Sequence, residues 1–170
     1  MRALGSFVVG LVVVLLLRST ALSAFAARGV VLDVLAFATV VWSLRHGPAW
    51  GCSFGFALGL CGDLDAAHWL GRHALVLTLI GYAIGRLATT LVRESARTQL
   101  VLILTATIIH QAWAALFELH GWGAMPQLLT RVLVSAVATA LVGTALLMVA
   151  RRVVGGPLFG NVAVQPGTVR

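Results

Sequence analysis

Long stretches of this chain carry no charged side chain. Thr98–Phe117 contains none apart from the titratable His110, and Val132–Ala150 contains none at all. A fold in water needs charge on its surface, and soluble domains carry about 25% Asp, Glu, Lys and Arg. Here the figure is 10% in 170 residues, against 60% hydrophobic residues, so runs such as Val8–Leu17 would have to face solvent. Placing them in lipid removes the contradiction.

A helix needs about 20 apolar residues to cross the hydrocarbon core, and fewer where flanking side chains snorkel. Six segments qualify: Ala3–Ala26, Gly29–Leu44, Ala49–Leu64, Ala74–Val92, Gln99–Leu119 and Leu128–Ala150. Short Gly-, Pro- and Arg-containing connections separate them. The expected fold is therefore an all-α integral membrane bundle of six transmembrane helices within residues 1–154. The stretch Gly155–Arg170, rich in Gly and Pro, reads as a flexible cytoplasmic tail. Arg2, an apolar run and Ala24-Phe25-Ala26 imitate a cleavable signal peptide. Arg18 interrupts that run, and removal would leave an odd number of spans, so the first helix is expected to stay.

The arginines set the orientation. With the N-terminus inside, Arg2, Arg45, Arg86, Arg93, Arg97, Arg151, Arg152 and Arg170 are cytoplasmic. Arg18, Arg28, Arg72 and Arg131 lie outside, a positive-inside bias that places both termini in the cytoplasm. The acids Asp33, Asp63, Asp65 and Glu118 fall at the outer ends, so the net +7 resides on the inner face and favours anionic lipid headgroups. Nucleic acid is not the expected partner, because no basic stripe is interleaved with aromatics.

Polar residues inside lipid are costly and call for a partner. Asp63 ends the third span, and Arg72 opens the fourth as the nearest counter-ion. Asp33 is expected to pair with Arg18 or Arg28, and Glu118 with Arg131. His110 and Gln111 sit mid-span in the fifth; a neutral His bonded to a neighbouring helix and a functional site are both open readings. Gly51, Gly55 and Gly59 repeat every four residues on the third span, and Gly81 and Gly85 do so on the fourth. Small residues let helix backbones approach closely in lipid. That face either packs the bundle internally or docks a partner helix.

No metalloprotease signature H-E-x-x-H occurs. The one G-x-S-x-G string, Gly51-Cys52-Ser53-Phe54-Gly55, lies inside the apolar third span, not at the strand-to-helix turn that a nucleophile elbow requires. His68 and His73 are five apart, a poor helical metal spacing. Cys52 and Cys61 lie about 13 Å apart along one helix, too far for a disulfide. Trp42, Trp50, Trp69 and Trp122 fit an interfacial aromatic belt. Neither an enzyme nor a cofactor is expected.

The stretch Gly55–Arg86 reads GFALGLCGDLDAAHWLGRHALVLTLIGYAIGR. Its G-x-x-x-G-L-x-x-D run (Gly55, Gly59, Leu60, Asp63) continues through Gly71, Ala74-Leu75 and Thr78 to Gly81-Tyr82 and Gly85-Arg86. In this it resembles the rod shape-determining MreD family of bacterial cell-wall elongation. The resemblance implies a non-enzymatic, multi-pass subunit of the bacterial cytoplasmic membrane. It also implies a fold like the six-helix substrate-binding subunit of energy-coupling-factor transporters. The implied partners are an MreC-like single-span protein and, with it, a peptidoglycan glycosyltransferase–transpeptidase pair. Asp63, Arg72, Tyr82 and Arg86 are the polar and aromatic positions of the motif. The expected mechanism is scaffolding, with the glycine face docking a partner helix and the arginine-rich inner face holding the complex at the membrane. The alternative is a vitamin-binding transporter subunit, with Asp63, Trp69, Tyr82, His110 and Gln111 lining a cavity. Whether the chain dimerises is left open.

Overall fold

A computed structural model of the chain describes residues 2–26, 32–66, 71–90, 95–118, 125–155 and 158–159. Among them are six α-helices and no strand. They are α1 (Arg2–Ala26), α2 (Val34–His46), α3 (Pro48–Ala66), α4 (Arg72–Leu87), α5 (Ala96–Glu118) and α6 (Met125–Val154). The α5 segment Ala96–Phe117 and the α6 segment Leu128–Val154 are long and apolar enough to cross a membrane, with mean hydropathies of 1.9 and 2.4.

Local chemistry sets the helix limits. Asp33 caps α2, its carboxylate accepting from the Ala36 N–H at 3.1 Å. The helix therefore begins at Val34, later than apolarity alone suggests. Gly47 ends it with φ +82°, a backbone state that a side chain would oppose. Pro48 then opens α3, where its missing N–H costs nothing. At its far end α4 stops at Leu87, short of the expected Val92. The Thr89 and Thr90 hydroxyls donate to the Arg86 and Leu87 carbonyls, satisfying groups that a longer helix would have used.

The closest-packed pair is α3 with α4, and α2 lies against both of them and against α5. On the far side α6 packs on α5, while among the described residues α1 meets α2 and α3. Leu44, Phe54, Leu58, Leu77, Ile84 and Ile103 fill the core. Leu158 and Phe159 join it, so the segment after α6 has an anchor in the bundle; residues 160–170 of the expected tail lie outside the described residues. The outer surfaces are apolar: Leu64 is 66% exposed, Leu129 64% and Val153 81%. Such continuous apolar exposure suits lipid and not water.

The glycines of α3 and α4 face one another, so of the two readings of that face the contacts show internal packing. A methyl group added at Gly51 would lie 2.7 Å from the Gly81 carbonyl oxygen. At Gly55 it would strike the Leu77 backbone, at Gly59 the Ala74 and His73 backbone, and at Gly85 Pro48. The chain fills this face itself because backbone-to-backbone approach leaves no gap for another helix. Gly55→Leu should therefore cost about 3 kcal/mol or more of bundle stability, the upper range of overpacking, since backbone cannot yield as a side chain can. Gly5 has open space around it, and Gly5→Ala should be neutral or slightly stabilising. Yield and thermal unfolding of the detergent-solubilised variants check both.

Candidate functional site

Two buried polar centres stand out in this apolar bundle, one at the start of α4 and one at the start of α2. The first is built on Asp63, which is fully buried near the end of α3. Helix α4 begins after Gly71 (φ +99°), which provides no side-chain cap, so its first N–H groups need an acceptor from elsewhere. Asp63 supplies it. Its Oδ2 accepts from the Gly71 and Ala74 N–H groups at 2.9 and 3.1 Å, and its Oδ1 from that of His73 at 3.0 Å. The carboxylate also sits at the positive end of the α4 dipole.

This geometry explains the spacing of the sequence motif. Gly59 lets the Ala74 backbone come against α3, and Asp63, one turn later, then meets the N–H groups brought there. The expected counter-ion Arg72 contributes its backbone carbonyl to a different bond, accepting from the Trp113 Nε1–H at 3.1 Å. That bond ties α5 to the start of α4.

The second centre joins four helices. The Asp33 Oδ2 lies 2.5 Å from His110 Nδ1 and accepts from Gln111 Nε2 at 3.2 Å. Its own N–H donates to the Thr139 hydroxyl of α6 at 2.9 Å. On its other side His110 Nε2 lies 3.0 Å from His73 Nδ1 of α4. With Asp33 ionised, two proton arrangements satisfy the row. Neutral His110 donates to Asp33 through Nδ1 and accepts from His73, or the His110 imidazolium donates to both. Asp33 and His110 are buried, whereas His73 is half-buried.

Of the expected site residues, the structure brings His110 and Gln111 together on Asp33, and places Asp63 beside the backbone of His73. Among the described residues, Asp33 bonds to a histidine, an amide and a threonine; the expected pairing with Arg28 falls outside them. Tyr82 and Arg86 stand apart from both centres, exposed on the outer side of α4. The roles considered for Arg28, His68, Trp69 and Trp122 fall outside the described residues, and those of Asp65 and Glu118 rest on side chains that are not described. Sequence reasoning missed His73 and Thr139 as members of the second centre. Each is an ordinary polar residue in its own helix, and only the bundle places them beside Asp33.

No cluster of His, Cys, Asp and Glu fit for a metal occurs among the described residues. The bonds of both centres run to other parts of the same protein, so their first effect is to hold helix ends together. Trp42, expected in an interfacial belt, stacks on Phe54, with ring centroids 4.3 Å apart.

Comparison with known proteins gives one family. A model described as rod shape-determining protein MreD matches residues 1–149. No curated protein and no solved structure matches the chain.

If the second centre is a coupled unit, Asp33→Ala and His110→Ala should each cost about 3–5 kcal/mol, because each leaves a buried polar partner unanswered. The double variant should then lose well under the sum of the two, with a coupling of about 1 kcal/mol or more. Thermal unfolding of the four proteins gives the cycle; strict additivity would show that the pair contributes no joint stability.

Proposed function

The chain belongs to the MreD family of rod shape-determining proteins, and from that premise we propose that it is a non-enzymatic six-span scaffold of the cell-wall elongation complex. It sits in the bacterial cytoplasmic membrane with both termini inside. It binds an MreC-like single-span protein and through it supports a peptidoglycan glycosyltransferase–transpeptidase pair. The family match, the apolar outer surfaces and the arginine bias support this reading. So does the internal use of the polar groups: Asp33, Asp63 and His110 spend their bonds on the bundle.

One observation carries the partner site. With the glycines occupied inside the chain, the exposed polar and aromatic residues of the motif are Tyr82 and Arg86. They continue a stripe with Leu75 and Leu79 along α4, at the three- and four-residue steps of one helix face. A partner helix lies along this stripe, its apolar side on Leu75 and Leu79 and a polar group near Arg86 at the inner end. Tyr82 provides a large flat surface with a hydroxyl, a combination suited to helix contacts in lipid. The transporter reading gains no support, since His110, Gln111 and Asp63, its cavity liners, are bonded to neighbouring helices or backbone.

Tagged protein is recovered from solubilised native membranes and the co-purifying proteins are identified. Wild type should bring down a single-span MreC-like protein with wall synthases. Leu79→Trp and Tyr82→Ala should lower that recovery severalfold at unchanged yield of the tagged protein. Undiminished recovery would move the partner off α4. Recovery of paired ATPases with a coupling membrane subunit would instead make the protein a transporter subunit.

A further inference from the structure

A crevice of about 440 Å³ opens between α1 and α3, lined by Leu15, Arg18, Ser19, Cys61 and Leu64. Its origin lies in how α1 is held. Near its start Phe7 packs edge-on against Phe54 and Trp42, with centroids 5.4 and 6.0 Å apart. Gly10 allows the Trp42 ring to press on the helix there. Toward the other end no such aromatic clamp joins α1 to α3 among the described residues, and the crevice lies there.

Arg18 brings a permanent cation into this apolar slot. It stands sixteen residues above Arg2, about 24 Å along the helix axis and close to the outer edge of a hydrocarbon core about 30 Å thick. Its guanidinium reaches toward α3, with Nη1 3.7 Å from where a Gly62 side chain would begin. The adjacent Asp63 directs both carboxylate oxygens at the α4 backbone. The guanidinium carries five N–H donors in a planar fork that matches phosphate oxygens, so it can serve more than one acceptor. The surface beside it is apolar: Leu64, which lines the slot, is among the most exposed residues of α3, and Leu16 and Leu17, next to Leu15 and Arg18 in α1, are exposed too.

We propose that this crevice holds an anionic phospholipid of the outer leaflet, its phosphate on the Arg18 guanidinium and one acyl chain along Leu15 and Leu64. Charge selects the anionic headgroup, and the sideways opening onto apolar surface selects a lipid over a free anion. A lipid seated there fills the gap between α1 and the bundle and so completes the attachment of α1. The inference rests on the membrane placement proposed above, but not on the identity of the protein partner.

The full chain is reconstituted in nanodiscs of phosphatidylcholine containing phosphatidylglycerol, extracted in mild detergent and examined by native mass spectrometry. Wild type should retain a phosphatidylglycerol molecule in preference to phosphatidylcholine. Arg18→Gln should lose it, Arg18→Lys should keep it, and Leu15→Trp, which fills the slot while leaving the charge, should lose it. Arg45→Gln, an exposed arginine at the end of α2, controls for general attraction to the positive inner face and should keep it. Phosphatidylglycerol retained equally by Arg18→Gln and Leu15→Trp would overturn the proposal, as would a wild type without headgroup preference. Displacement by inorganic phosphate would overturn the lipid assignment in favour of a soluble anion. Should Arg18→Gln fail to fold, the Leu15→Trp result decides. Recovery of the single-span partner, measured on the same variants, separates failure of this site from failure of the scaffold reading.

Discussion

Hydrocarbon offers no hydrogen bonds, so each backbone N–H that a helix leaves open must be answered by the protein, at several kcal/mol if it is not. Asp63 answers this demand for α4. Its carboxylate gathers three N–H groups at the start of that helix, and it can do so only because Gly59 admits the Ala74 backbone against α3. From that point the two helices run together along Gly55, Gly51, Gly81 and Gly85 with backbones nearly in contact. Dispersion between closely apposed backbones takes the place of the hydrophobic drive that lipid cannot supply. Helix α2 then lays Leu35, Val40 and Leu44 on this pair, and Asp33 at its start secures α5 and α6 through His110, Gln111 and Thr139.

Much of this was legible in the residues before any coordinates. Long uncharged runs mark α5 and α6, and Gly47-Pro48 marks the turn between α2 and α3. The four-residue repeats of Gly51–Gly59 and Gly81–Gly85 announce close helix contact. What the repeats do not encode is which helix makes the contact, and the answer proved to be each other. The Asp63 partner was misjudged because a counter-ion search looks for side chains, while the needed positive charge came from helix N–H groups. The Asp33–His110–His73 row was out of reach for another reason. Its members lie 37 and 77 residues apart along the chain, and no local pattern ties residues at such separations. Leu158 and Phe159 were missed because two apolar residues in a Gly- and Pro-rich stretch carry no periodicity.

Internal use of the glycine seam redistributes the roles of the motif. Gly55, Gly59, Asp63, Gly81 and Gly85 make the α3–α4 hairpin, and their constraint is structural. Tyr82 and Arg86 do nothing for that hairpin's interior, so they are the polar and aromatic motif residues exposed to another molecule. On the scaffold reading proposed above, the α3–α4 pair provides a paired-helix face, with the remaining helices holding it in place. Less tightly attached, α1 is the element through which the surrounding lipid can act on the bundle.

The orientation of the α3–α4 pair is the central claim, and labelling from within the bilayer tests it without altering the protein. A lipid-soluble carbene precursor is photolysed in native membranes, and the modified residues are read by peptide mass spectrometry. If the glycine seam is internal, label falls on Phe56, Leu60, Leu64, Leu75, Leu79 and Tyr82 and spares Phe54, Leu58, Leu77 and Ile84, with the α4 stripe protected further when the partner is present. Equal labelling of both sets would mean that the seam faces lipid, and the packing described here would be wrong.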